Sequence, residues 1–258
     1  MIADQHAALF AQGCIKTGMA KCTNGTGTFI DVNVGNRCVI SDKGLNTVIA
    51  WKINNEISYG VEGYAAVTGS AVQWLRDGMK IIKNSSETEK LATSVPDSNG
   101  VVFVPALAGL SAPYNDPFAR GTIIGITRGT KREHIIRATL EAIAFRCKDI
   151  CNAVESDAQI KIRALKIDGG ASKNNFLAQQ ISDITDAVIE RPVSVEATSL
   201  GCAELAGLYT GFWSMEDFAN AVDIDKRFEP KITEEERNER YLQWQDAVNR
   251  AKGWKTQR

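Results

Sequence analysis

The residues best suited to chemistry lie in Leu165–Phe176, which reads L-K-I-D-G-G-A-S-K-N-N-F. Leu165 and Ile167 alternate as in a strand, Asp168, Gly169 and Gly170 stop it, and a helical pattern resumes at Asn175, Phe176 and Leu177. A strand that ends in glycines and opens a helix leaves backbone N–H groups without intrahelical partners, and the helix dipole favours an anion there. The chemistry on offer is therefore anion binding, with a phosphate as the natural ligand. A Cβ at Gly169 or Gly170 would block close backbone approach to a phosphate or a base. The same D-G-G turn also serves as a plain strand-to-helix connection, so its meaning depends on the rest of the chain.

Composition narrows the ligand. At 258 residues, 44% of them hydrophobic and 24% charged, the chain can bury a substantial core as one large domain or two small ones. A net charge of −1 argues against nucleic acid or an acidic membrane surface as the main partner. Neither an apolar run long enough to span a membrane nor a basic-then-apolar leader occurs, so the expectation is a soluble, cytoplasmic protein. Six cysteines are scattered without a C-x-x-C pair, and the two histidines, His6 and His134, lie far apart in sequence. That pattern predicts no zinc site, and any metal is expected to arrive with a ligand. Cys147 and Cys151, one helical turn apart in an apolar stripe, read as reduced core thiols.

The elements that must position the glycine turn follow in order. Ala7–Gln12 reads as a helix capped by Asp4 or a near neighbour. Met19–Thr23 and Thr28–Val34 form a hairpin through Asn24-Gly25-Thr26-Gly27, and Asn46–Ile53 pairs with Ile57–Val61 through Asn54-Asn55. A helix is predicted over Ala65–Lys80, a polar surface excursion over Lys83–Gly100, and a buried strand over Val101–Leu107. A capping box at Thr130 and Glu133 then opens a long helix whose seam is Ile136, Leu140, Ile143, Cys147, Ile150 and Val154. Ile162–Ile167, the helix from Asn175, Ala187–Glu190 and Ser199–Tyr209 alternate as strand and helix. Ser214 with Asp217, and Thr233 with Glu236, cap two final helices, the last within residues 230–258. An antiparallel meander followed by alternating strands and helices predicts an α/β domain with a mixed sheet and helices on both faces. That order describes half of an actin-like ATPase, the ribonuclease-H-like fold.

Several blocks then carry a resemblance. G-T-I-I-G-I from Gly121, seven residues, and H-I-I-R-A-T-L-E from His134 are similar to the C-terminal signature of the FGGY carbohydrate kinases. The loop from Gly109 to Gly121 (G-L-S-A-P-Y-N-D-P-F-A-R-G) resembles that of the glycerol kinases within the family. Asp4-Gln5 ahead of a helix, Thr26 in its N-G-T-G turn, S-A-V-Q-W-L-R from Ser70 and the D-G-G-A turn at Asp168 agree, so the resemblance runs from about Asp4 to Trp254. It implies a single C-terminal kinase domain over residues 1–258 that transfers the γ-phosphoryl group of ATP to a primary hydroxyl of glycerol.

The resemblance assigns roles residue by residue. Asp4 would be the catalytic base and Gln5 would hydrogen-bond glycerol; from the residues alone, Asp4 is also an ordinary helix cap. Phe29 would pack against the glycerol carbons, or is simply core. Gly25, Thr26 and Gly27 would meet the β- and γ-phosphates, or form an unremarkable hairpin turn. Gly69 and Gln73 would lie along the nucleotide, and Gly169, Gly170, Ala171 and Asn175 would face its adenosine half. Mg²⁺ would come bound to ATP. Two positions depart from the glycerol-kinase pattern, Asn24 for Tyr and Asn115 for Trp, and bear on glycerol against another small polyol. The family's N-terminal lobe, with its own phosphate loop and glycerol-gripping residues, has no counterpart in this sequence. The expectation is either a truncated product or a chain cut at a domain boundary, with negligible turnover and weak ATP binding by itself. Half of another sugar kinase, and a non-catalytic binding partner derived from a kinase half, are the alternatives, and a homo-oligomer is compatible with all three.

Overall fold

The computed structural model describes residues 2–194, 197–218 and 222–255. The chain opens on helix α1 (Asp4–Ala11), then runs through β1 (Ala20–Asn24), β2 (Thr28–Gly35), β3 (Asn46–Ile53) and β4 (Glu56–Ala65). After α2 (Gly69–Gln73), a π-helical turn (Trp74–Gly78) and α3 (Glu87–Thr93) come β5 (Val102–Val104) and β6 (Thr122–Ile124). The long helix α4 (Arg132–Ala158) leads to β7 (Ala164–Asp168), a 3₁₀ turn (Gly170–Lys173), α5 (Asn175–Thr185) and β8 (Val188–Pro192). Helices α6 (Ala197–Tyr209) and α7 (Met215–Phe218), strand β9 (Ile224–Phe228) and helix α8 (Glu234–Ala251) complete the order.

Seven strands form one mixed sheet in the order β3-β4-β2-β1-β7-β8-β9, while β5 and β6 pair separately. The meander β1-β2-β4-β3 is antiparallel, β1-β7 and β7-β8 are parallel, and β9 returns antiparallel to β8. Sequence patterning anticipated this mixed α/β arrangement and its helices on both faces. On one face Cys22 of β1 meets Cys147 of α4, with sulfurs 4.0 Å apart. On the other, α1 lies over the sheet, where Lys166 of β7 donates to the Gln12 carbonyl at its end.

The seam on α4 buries as its spacing predicts: Ile136, Leu140, Ile143, Cys147, Ile150 and Val154 are all in the core. Burying each such side chain is worth about 1.5–3 kcal/mol before entropy is charged against it. One carboxylate goes in with them. Asp149 is fully buried, yet accepts from Tyr114 and Tyr241 at 2.8 Å each and from Trp244, and pairs with Arg146 at 2.8 Å. Burial pushes its carboxyl up, while Arg146 and the tyrosines pull it back.

Several local readings need correction. The N-cap of α1 is Ala3, without a side-chain cap; Asp4 is the first helical residue and its Oδ1 accepts from the Gln5 N–H at 2.8 Å. Helix α4 starts behind Lys131, whose N–H donates to His134 Nδ1 at 3.0 Å, while the Thr130 hydroxyl accepts from the Thr127 N–H instead of capping. The expected helix over Ala65–Lys80 is interrupted: β4 continues to Ala65, and only Gly69–Gly78 coils, first as α and then as π. The strand expected over Val101–Leu107 shrinks to Val102–Val104, and the polar excursion before it contains α3. Strand β9 and its exposed I-D-K-R face had no alternating pattern to announce it.

Helix α6, packed on α1, carries one buried acid with an unanswered oxygen: Glu204 Oε2 has no hydrogen-bond partner among the described residues. Burial pushes this carboxyl up to about 7. An acid whose folded pKa is raised contributes its stability below the unfolded value and loses it as pH rises through the folded one. Wild-type protein is therefore expected to lose on the order of 1–2 kcal/mol between pH 5 and 9 that the Glu204→Gln variant retains, read from urea midpoints of both at each pH.

Candidate functional site

At the carboxyl ends of the parallel neighbours β1 and β7, two bends meet. Thr23 and Asp168 are in register, so the Asn24–Gly27 turn and the Gly169–Ala171 turn emerge side by side. Gly169 has φ +82°, and a Cβ there would sit 2.5 Å from the Asn24 carbonyl oxygen; only glycine permits the approach. The first turn is held from above by α2. The N–H groups of Gly69 and Ser70 donate to the carbonyls of Gly25 and Thr26 at 3.0 and 3.1 Å, and a Cβ on Gly69 would collide with the Gly25 oxygen. Below it, Thr28 Oγ1 bonds both Asn24 Oδ1 (2.8 Å) and Thr68 Oγ1 (2.7 Å).

Between these bends lies a cleft of about 480 Å³. Asn24, Gly25 and Thr26 form one wall, Gly69, Gln73 and Arg76 another, and Gly170, Ala171, Asn174 and Leu177 a third, over a floor of Leu140 and Ile143. An apolar floor with backbone, amide and charged groups (Arg76, Glu89 and Lys173) along the rim is the composition of a small-molecule site. Gly170 is exposed, with nothing within 4 Å of its Cβ direction, so that edge faces open space.

The structure brings together Gly25, Thr26, Gly69, Gln73, Gly170 and Ala171 around this cleft. Gly27 and Gly169 shape the turns from behind and do not line it. Asn175 does not line it either. Its amide donates to Glu89 Oε1 at 3.0 Å and its oxygen accepts from Arg191 and Lys226, so the side chain is committed elsewhere. The neighbouring Asn174 lines the cleft; its oxygen caps α5 through the Leu177 N–H at 3.0 Å, and its amide reaches Thr88. Where the sequence reads a glycine turn opening directly into a helix, a 3₁₀ turn intervenes and shifts the reading by one residue.

Asp4 and Gln5 lie at the start of α1, outside the cleft but linked to it through β1. Lys21 is fully buried in β1; its ammonium reaches Gln5 Oε1 and Thr23 Oγ1 and pairs with Asp31 at 2.8 Å. Thr23, Phe29 and Tyr64 continue the same face in register, and Phe29 is half-buried with its ring 4.5 Å from that of Tyr64. Asp168 is buried beside them, bonded by Gln12; burial pushes its carboxyl up, against the pull of Thr23 and Lys21. Lys21 and Asn174 are residues that the sequence reading passed over, and Asp168 was read as part of the turn without a role for its side chain. A lone lysine among apolar strand residues was the available signal.

The two departures from the pattern sit in structural roles. The Asn24 side chain is buried under its turn, with Nδ2 on Cys22 Sγ. Asn115 has φ +48°, a left-handed conformation that asparagine tolerates, and donates to the Lys43 carbonyl.

Comparisons with known proteins bear on this arrangement. Residues 20–209 match the family model described as "FGGY family of carbohydrate kinases, C-terminal domain". This chain belongs to that family. Glycerol kinase 2 of Thermotoga maritima is 54% identical over 252 residues, which is 97% of this chain and 51% of the relative. Glycerol kinase of Caldanaerobacter subterraneus is 52% identical over the same share of each. Among solved structures, Plasmodium falciparum glycerol kinase with ADP superposes with a TM-score of 0.92 at 38% identity, covering 96% of this chain and 50% of that one. The chain thus spans about half the length of the relatives it matches, and its fold is that of the actin-like ATPases.

Proposed function

We propose that this chain supplies the nucleotide-binding and proton-accepting half of an ATP-dependent glycerol kinase, in which the γ-phosphoryl group passes to a primary hydroxyl and gives glycerol 3-phosphate. Identity above half to a protein named glycerol kinase, across nearly the whole chain, is the observation that carries the reading. The cleft between the two glycine bends supports it.

Phosphoryl transfer asks the protein for position and charge neutralisation more than for covalent chemistry. In this reading Gly25 and Thr26 meet the β- and γ-phosphates, Gly69 and Gln73 run along the nucleotide, and Gly170, Ala171 and Asn174 take its adenosine half. Mg²⁺ travels with ATP, held by phosphate oxygens and water. Asp4 accepts the hydroxyl proton, Gln5 orients glycerol, and Phe29 lies against its carbons. Lys21 holds the Gln5 oxygen, which turns the amide's N–H groups outward toward a substrate hydroxyl. The second lobe of the cleft is the half that the relatives have beyond this chain's length. A reducing cytoplasm suits its free cysteines, two of them exposed.

The test is nucleotide binding to the purified chain. ADP titrated calorimetrically is expected to bind weakly, and Gly170→Val to weaken it by about tenfold or more while leaving thermal stability within about 0.5 kcal/mol. Gly169→Ala, in contrast, is expected to destabilise by about 1–3 kcal/mol, because its Cβ collides with backbone. ADP affinity unchanged by Gly170→Val would remove the nucleotide from this cleft. A substrate panel on the two-lobed protein then decides glycerol against other polyols.

A further inference from the structure

One polar row crosses the whole sheet on the α1 side. The strand registers place Asn46, Glu62, Asp31, Lys21, Lys166, Glu190 and Arg227 side by side from β3 to β9. Asp31 and Glu62 are directly opposite on neighbouring strands, an arrangement in which like charges repel. Asp31 is 1% exposed, and only one of its oxygens is answered: Oδ2 pairs with Lys21, while Oδ1 has no partner among the described residues. Glu62 has one oxygen bonded by Asn46, and its carboxyl is pushed up by burial first and by Asp31 second. Across from them on α1 stands His6, whose ring makes no hydrogen bond among the described residues. One ammonium thus faces two carboxylates, and the row is short of positive charge at the end away from Lys21.

We propose that His6, Asp31 and Glu62 bind a divalent first-row metal ion. One ligand atom from each lies within 4.8 Å of the other two. Metal–ligand distances of about 2.0–2.2 Å put neighbouring donors roughly 3–4 Å apart, so small side-chain movements close the set. One imidazole and two carboxylates make a mixed N/O donor set without thiolate, suited to Mn²⁺, Fe²⁺, Co²⁺ or Zn²⁺ rather than to a soft cation. The ion answers the free Asp31 oxygen and relieves the repulsion between Asp31 and Glu62. It also ties the start of α1, one residue past Gln5, to the central strands. This site lies apart from the nucleotide cleft, shares none of its lining residues, and does not depend on any kinase activity. Sequence spacing could not show it, because its ligands come from one helix and two strands brought together by register.

Mn²⁺ is the probe, since the exposed thiols of Cys38 and Cys202 compete poorly for it. Titration of the whole chain in nucleotide-free buffer, followed by loss of the free-ion EPR signal, is expected to show one ion per chain. His6→Ala and Glu62→Gln are each expected to weaken uptake by about a hundredfold, since even an outer partner of a ligand is worth 10–100-fold. Pulsed EPR of the wild-type complex should show coupling to an imidazole nitrogen, which keeps the test valid if a variant misfolds. No uptake at millimolar Mn²⁺, uptake untouched by both substitutions, or a bound ion without nitrogen coupling would each overturn the assignment.

Discussion

The Asp4→Asn variant of a two-lobed protein containing this half is expected to lose about 10²–10⁴-fold in kcat, the range general-base catalysis supplies. Asparagine keeps the size and shape of the side chain, and the exposed Asp4 carboxylate accepts only from the Gln5 N–H among the described residues, so the fold has little reason to respond. Asp4 lies outside the cleft lined by Thr26 and Gly170, so the KM for ATP should stay within a few-fold. Steady-state rates over glycerol and ATP concentrations separate the two quantities. A loss below about fivefold, or a loss confined to KM, would mean that another group takes the hydroxyl proton.

Lys21→Met should have the largest effect on stability. The substitution removes the ammonium that Asp31, Gln5 and Thr23 share, and leaves a buried carboxylate facing Glu62 without compensation. Breaking such a pair from one side costs about 3–5 kcal/mol. Exchanging both members, Lys21→Met with Asp31→Leu, is expected to recover most of that loss, because two apolar side chains need no partner. Urea unfolding of wild type, single and double variants measures both statements. A single variant as stable as wild type would show that Lys21 and Asp31 are not paired in solution. The double variant also frees the Gln5 amide, so under the proposed function restored stability with weakened glycerol binding is the expected result for the two-lobed protein.

How much of this was legible beforehand depends on the range over which each feature is specified. The Asn24–Gly27 turn, the glycine stop after Asp168 and the seam of α4 are written in neighbouring residues, and each formed where local pattern put it. Thr26 and Gly170 lie at those turns and line the cleft, but their roles toward a nucleotide came from the family resemblance and not from the local pattern. Asn175 could not be told from Asn174, because a single 3₁₀ turn decides which amide faces the cleft. The break in the predicted Ala65–Lys80 helix is a tertiary effect. Pairing of β4 with β2 holds the chain extended as far as Ala65, against the local preference for a helix. The row from Asn46 to Arg227 is the most remote from sequence, since every neighbour in it is set by strand register and none by spacing along the chain.

The sheet order has a last consequence, for how copies of this molecule keep clear of one another. Its two outermost members are β3 and β9. Each resists a newcomer: β9 presents Asp225, Lys226 and Arg227 to solvent, and β3 breaks its own ladder with a bulge between Ile49 and Trp51 and carries Lys52 outward. Charged side chains and bulges are what discourage an unpaired strand from recruiting another chain. Fibril-like stacking is disfavoured at both rims of the seven-stranded sheet.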